Sequence, residues 1–261
     1  MQLGTYARIP CESTYDSALL QSLTPLELAY CIAILLVNFM LRGSLGFGGA
    51  LGLPMLALVL PVKVLAPAWS LVGILSSAAI VGHDRKHVDK RLYLGLLPGC
   101  ALGIVAGLFV FKALDAVLLA RALGVFIIAY AAYSWWKPSF TNPTLVRPLA
   151  SFLSGAVGTV FGSMASIFFA MYLDAGGASK HALRATLSAM LITLSLARTI
   201  GYAAVGELTW DSVILCAAAI PAMGIGLLIG DRIHTGLSQA GFQRLVCAAL
   251  AACGVALLLT S

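Results

Sequence analysis

Leu41-Arg42-Gly43-Ser44-Leu45-Gly46-Phe47-Gly48-Gly49 interrupts a stretch that is otherwise apolar from Leu26 to Leu60. Of the 261 residues, 61% are hydrophobic and only 10% are charged. Soluble domains run about 45–50% apolar and about 25% charged, so the chain reads as a polytopic membrane protein. Lipid gives exposed backbone no hydrogen-bond partner. A broken helix at membrane depth must therefore be buried in protein or line a cavity. An arginine held there is costly and marks a functional site by default.

In such a chain the formal charge of +6 reports topology, not nucleic-acid binding. Residues 1–24 carry Arg8, Glu12 and Asp16 and lack the basic-then-apolar order of a cleavable signal, so they read as a polar tail. The six cysteines form no CxxC, and all but Cys11 lie in apolar segments. They read as small buried hydrophobes, with no redox or metal role.

The apolar segments are 26–60 (broken), 66–81, 92–111, 116–136, 148–173 (broken), 182–205, 212–230 and 241–259. Each unbroken one has about the length of a membrane-spanning helix. Period-2 alternation is absent from Val213–Ile229, which argues against a β-barrel. Pro98, Gly103, Gly107, Leu114 and Arg121 recur as Pro221, Gly226, Gly230, Leu237 and Arg244, at a constant offset of 123. Gly43-Ser44-Leu45-Gly46 aligns with Gly155-Ala156-Val157-Gly158 at an offset of 112. The organisation expected is a tail over 1–24, a first membrane repeat over 25–137, a linker over 138–147 and a second repeat over 148–261.

Basic residues choose between two topologies. If both broken segments cross the membrane, each side holds seven lysines and arginines, which gives no orientation. If both are re-entrant hairpins, one side holds Arg8, Lys63, Lys112 and Arg121. The other then holds Arg85, Lys86, Lys90, Arg91, Lys137, Arg147, Lys180, Arg184, Arg232 and Arg244. Ten against four is the bias of a cytoplasmic face. The fold expected is all-α: two inverted repeats, each a glycine-broken re-entrant hairpin plus three transmembrane helices, with both termini outside. The arms expected, Leu28–Leu41 and Leu51–Leu60, are about 21 Å and 15 Å long, too short to span.

A helix that begins at mid-membrane aims free N–H groups and partial positive charge at whatever lies there. The first break offers Arg42, Ser44, Gly46, Phe47, Gly48 and Gly49. The second offers Gly162, Ser163, Met164, Ala165 and Ser166. Two such tips meeting near the midplane would form an electropositive pocket for a small oxyanion. Arg42 has two readings, as a substrate ligand or as a cation on the negative end of its own helix. Asn38, one turn earlier, is placed to bond to it or to a partner helix.

Arg198 lies deep in 182–205, and Ser188, Ser195, Thr199 and Tyr202 share a face that it borders. No carboxylate falls in the interior of an apolar segment, so Arg198 has no evident fixed counter-ion. Ser195, Arg198 and Tyr202 join the candidate site. Gly103, Gly107, Gly226 and Gly230 read instead as close helix packing. His83 and His87 fall in a charged loop with no third ligand, so no metal and no cofactor is expected. Trp135-Trp136-Lys137-Pro138 reads as an interfacial anchor.

These residues resemble the sulfite exporter TauE/SafE family, the sulfonate/sulfite-type permeases. The resemblance rests on Gly43-Ser44-Leu45-Gly46-Phe47-Gly48-Gly49 followed by Pro54, on the Val88-Asp89 turn, and on Leu153-Ser154-Gly155-Ala156-Val157-Gly158-Thr159-Val160-Phe161-Gly162. It covers nearly all the chain from about residue 26. It implies a bacterial inner-membrane transporter of a small sulfur anion: sulfite, thiosulfate or a sulfonate such as sulfoacetate. Where members often carry a Gly-Gly-Pro-type ending at the second break, this chain has Gly162-Ser163-Met164-Ala165-Ser166.

The expected activity is secondary transport, most simply export, by alternating access around the hairpin tips. The partners expected are the anion and the bilayer, with room for a homodimer. A channel or transporter for another small anion, and a non-transporting assembly factor, are the alternatives. A serine hydrolase would need a base beside its serine, and all four histidines fall in loops. No Walker motif is present, so ATP is not the direct energy source.

Overall fold

The computed structural model describes residues 23–45, 51–84, 89–136, 143–162, 164–165, 168–169, 180–232 and 239–260. Among these residues the chain is helical and has no strand. The helices are α1 (Pro25–Leu45), α2 (Gly52–Leu56), α3 (Val62–Asp84), α4 (Lys90–Ala113), α5 (Ala116–Trp136), α6 (Pro143–Phe161), α7 (Lys180–Ala204), α8 (Trp210–Arg232) and α9 (Gln239–Thr260). Helices α1, α3, α4, α5, α7 and α8 contain stretches long and apolar enough to cross a membrane. Large side chains such as Leu102, Phe109 and Leu228 face outward, as a lipid-bathed surface requires.

Local chemistry sets the helix ends. Thr24 and Glu27 form a reciprocal capping box at α1: the Glu27 amide donates to Thr24 Oγ1 (3.3 Å) and the Glu27 carboxylate accepts from the Thr24 amide (2.8 Å). Asp89 caps α4 by accepting from the amides of Arg91 (3.0 Å) and Leu92 (3.1 Å). Gly206, at φ 79°, ends α7, where the Glu207 amide donates back to the Tyr202 carbonyl at 2.9 Å.

Three boundaries differ from the sequence reading. The first arm does not stop at Leu41. It is a 21-residue helix, about 31 Å long, and it carries Arg42, Gly43 and Ser44 in its last turn. One glycine weakens a helix by only about 1 kcal/mol, so Gly43 alone does not break it. Arm length alone therefore does not argue for a hairpin here. The second arm is shorter than expected, with five helical residues in α2 and turns over Ala57–Val59. Helix α6 starts at Pro143, so Pro148 lies inside it.

Contacts along the helices fix their relative directions. The Gly52 amide donates to Asn38 Oδ1 (3.1 Å), and Tyr30 OH donates to the Met55 carbonyl (3.1 Å). Hence α2 runs back along α1 toward its start. Phe39 stacks on Trp69 at 6.0 Å, and Arg42 reaches Ser77, so α1 and α3 run in the same direction. Helices α3 and α7 run oppositely: Lys63 pairs with Glu207 (3.2 Å) and Ser70 meets Thr199 (2.8 Å).

The main helix pairs are α1 with α8, α4 with α6, α3 with α7, and α5 with α9. The repeated glycines make two of them possible. A Cβ on Gly226 would lie 2.8 Å from Phe39 Cβ, and Gly230 abuts the Met40 carbonyl. A Cβ on Gly107 would lie 2.8 Å from the Ala156 carbonyl, and Gly103 abuts the Phe152 carbonyl. Only residues without side chains allow such close approach. Packing is thus the role these four glycines serve.

Candidate anion-binding site

The interior beside the two breaks is polar at a depth where lipid-facing chains are apolar. Arg42 is 7% exposed, Arg198 3% and Asn38 2%. Helix α1 supplies Asn38 and Arg42, four residues apart and so on one face. Helix α3 supplies Ser77, whose hydroxyl accepts from Arg42 Nη2 at 2.6 Å. Helix α7 supplies Arg198, which donates from Nη1 to the Gly158 carbonyl and from Nη2 to Ser195 Oγ at 3.4 Å.

The Gly158 contact has a backbone cause. The last four carbonyls of an α-helix have no intrahelical donor. In α6, which ends at Phe161, these include Gly158 and Thr159. Arg198 takes the first, and Tyr202 OH donates to the second. Tyr202 is fully buried and packs against Phe111, with ring centroids 5.0 Å apart. Arg198 and Tyr202, one turn apart on α7, therefore cap α6 from outside it.

Around Arg42 and Arg198 three donor atoms lack an acceptor: Asn38 Nδ2, Arg42 Nε and Arg198 Nε. Among the described residues neither guanidinium has a carboxylate partner, and their contacts Ser77 and, through Ser195, Gly73 lie one turn apart on α3. Asp211 is buried in the first turn of α8, at the Lys63 end of the bundle where Ser212 Oγ donates to the Val64 carbonyl. Buried donors in native proteins are nearly always satisfied, so three orphans together require an explanation.

The second break touches the first hairpin. A Cβ on Gly162, at φ 68°, would lie 2.7 Å from Leu53 on α2 and 2.8 Å from Ala66 on α3. Met164 is buried and holds φ 69°, a left-handed backbone rare for a side chain of its size. Such strain concentrates at ligand sites and switch regions. Ala165 is buried beside Gly158, where a Cβ would lie 2.9 Å from it and 3.6 Å from Arg198 Nη1.

Of the residues singled out in the sequence, Gly162, Ala165, Ser195, Arg198 and Tyr202 fall in one neighbourhood around Gly158, with Met164 two residues beyond Gly162. Arg42, on α1, reaches Ser77 on α3, one turn from the Gly73 that packs on Ser195. Ser44 lies in the last turn of α1. Gly46, Phe47, Gly48, Gly49, Ser163 and Ser166 lie outside the described residues. Gly155 and Gly158 do not break α6: Gly155 packs on Cys100 and Ile104. Ser77 was missed, yet Ser70, Gly73 and Ser77 recur at helical spacing and meet Thr199, Ser195 and Arg42. That small-residue stripe was the available signal.

Long apolar helices packed around a buried cationic centre define a multi-pass membrane protein, and such a centre is the mark of a transporter more than of an anchor. The family model for the sulfite exporter TauE/SafE matches residues 30–257, and the chain belongs to that family. Its members are membrane transporters of sulfur anions such as sulfite, not enzymes. No curated protein and no solved structure matches the chain.

Proposed function

We propose that this protein is a secondary exporter of one small sulfur-containing anion, such as sulfite, thiosulfate or sulfoacetate. It works by alternating access around two re-entrant hairpin tips. The observation that carries this reading is the set of buried donor atoms Asn38 Nδ2, Arg42 Nε and Arg198 Nε without an acceptor, with no carboxylate paired to either guanidinium among the described residues. Arg42, Arg198 and Ser195 bind the anion, together with the glycine amides of the first break. Tyr202 positions α6.

The exchanged helix pairs support inverted repeats. The first helix of each half packs on the next-to-last described helix of the other, as α1 does on α8 and α6 on α4. The parallel run of α1 and α3 supports a hairpin that returns to its own side. On this topology Lys63 and Lys180 lie on opposite faces, and the face rich in basic residues is cytoplasmic. Both termini then lie outside a bacterial inner membrane. A potential negative inside favours exit of an anion by about 2.3 kcal/mol per charge per 100 mV.

Flux in proteoliposomes tests the function. Saturable movement of sulfite, thiosulfate or sulfoacetate is expected. A folded preparation that moves none of them sinks the reading, and movement of only unrelated anions reassigns the substrate. Maleimide labelling of Lys63→Cys and Lys180→Cys in sealed vesicles tests the topology. Labelling of both from one face contradicts inverted hairpins.

A further inference from the structure

Two buried cations meet α3 one turn apart, and among the described residues neither has a carboxylate partner. Resting on the anion-transport reading, we infer that the site is matched to a dianion: it selects a doubly charged sulfur oxyanion over a singly charged sulfonate of the same size.

Arg42 and Arg198 are 7% and 3% exposed, and both reach one face of α3: Arg42 at Ser77, and Arg198 through Ser195, which packs on Gly73 one turn earlier. Their partners among the described residues are neutral: the Ser77 hydroxyl, the Ser195 hydroxyl and the Gly158 carbonyl. These groups orient the guanidiniums without changing the charge count. Lys63, at the far end of α3, is matched by Glu207 and adds nothing to the centre. The third orphan donor, Asn38 Nδ2, is likewise neutral.

An uncompensated charge in a low-dielectric interior is strongly unfavourable. A monoanion between the two guanidiniums leaves one positive charge buried, whereas a dianion removes both. The repulsion between Arg42 and Arg198 becomes an attraction shared through the ligand. Two orphan Nε–H groups on separate helices also suit a tetrahedral oxyanion that presents oxygens in two directions. A sulfonate replaces one of those oxygens with carbon and loses one charge and one acceptor together.

Sulfate and methanesulfonate isolate the effect, since they share a tetrahedral sulfur and keep fixed charges across the working pH range. Thiosulfate serves as a second dianion. Binding to the purified full chain in nanodiscs, measured by calorimetry at one ionic strength, is expected to favour the dianions about tenfold or more. In Arg42→Gln, and separately in Arg198→Gln, the preference is expected to collapse to near unity or invert. Arg42→Lys, which keeps the charge, is expected to retain it and shows that the loss is not misfolding.

Equal or tighter binding of methanesulfonate to the wild type overturns the inference and leaves sulfonate transport standing. So does binding of two methanesulfonates per chain, or a preference that survives both glutamine variants. Absence of binding by all three anions overturns the transport reading itself, and this inference with it.

Discussion

The two breaks use their arginines differently. At the first, Arg42 belongs to the hairpin's own arm and donates sideways to Ser77 on α3. At the second, Arg198 arrives from α7 and donates to Gly158 of the arm itself, with Tyr202 capping the next carbonyl. The sequence left Arg42 open between capping its own helix and binding a ligand, and set Arg198 among the candidate ligand groups. The difference teaches that a cation in a helix's last turn need not spend its hydrogen bonds there. The unpaired carbonyls of α6 are met by donors 40 and 43 residues away. Arg42 is therefore the freer of the two for a ligand, since Arg198 already donates to Gly158 and Ser195.

Matched substitutions can break or sharpen this contrast. The largest effect is expected where the halves interlock. Gly230→Val or Gly103→Val drives a side chain into a neighbouring carbonyl, on α1 or α6 respectively. Each is expected to cost about 3 kcal/mol and to reduce the yield of folded protein, read by size-exclusion chromatography. Equal yield from both variants and the wild type would show that these contacts are looser than described.

Next comes the arginine pair. Arg198→Gln is expected to lower thermal stability by about 1.5–3 kcal/mol, because it removes a charged donor from a buried carbonyl. Arg42→Gln is expected to lower it less while weakening anion binding comparably. Equal destabilisation by the two would erase the distinction. Tyr202→Phe is expected to cost about 1–2 kcal/mol by stranding the Thr159 carbonyl, with anion affinity nearly unchanged. A large loss of affinity there would move Tyr202 from positioning to binding.

The smallest effect belongs to Glu207→Gln. Its partner Lys63 is 26% exposed at the side chain, and partly solvated pairs are worth about 0–1 kcal/mol. A thermal scan should barely register it.

Much of the fold was legible because membrane helices announce themselves by length and apolarity. The close packing of Gly103, Gly107, Gly226 and Gly230 was legible because small residues at four-residue spacing in apolar helices mark close helix crossings. Arm lengths were misjudged because a lone glycine such as Gly43 reads as a break and folds as helix. At the site, Arg42 and Arg198 stood out because arginine is rare inside apolar segments. Ser77 did not stand out alone; its signal was the Ser70, Gly73 and Ser77 stripe, which gains meaning once α3 is set beside α1 and α7. The strain at Met164 was hidden as well, because no sequence pattern marks a methionine that takes a left-handed backbone.

One measurement bears most directly on the paired tips as an anion site: equilibrium binding of thiosulfate to the purified wild type, Arg42→Gln and Arg198→Gln proteins. Saturable one-to-one binding is expected in the wild type, with affinity reduced about tenfold or more in each variant. Undiminished affinity in both variants, each still folded, would contradict a site built between α1 and α7.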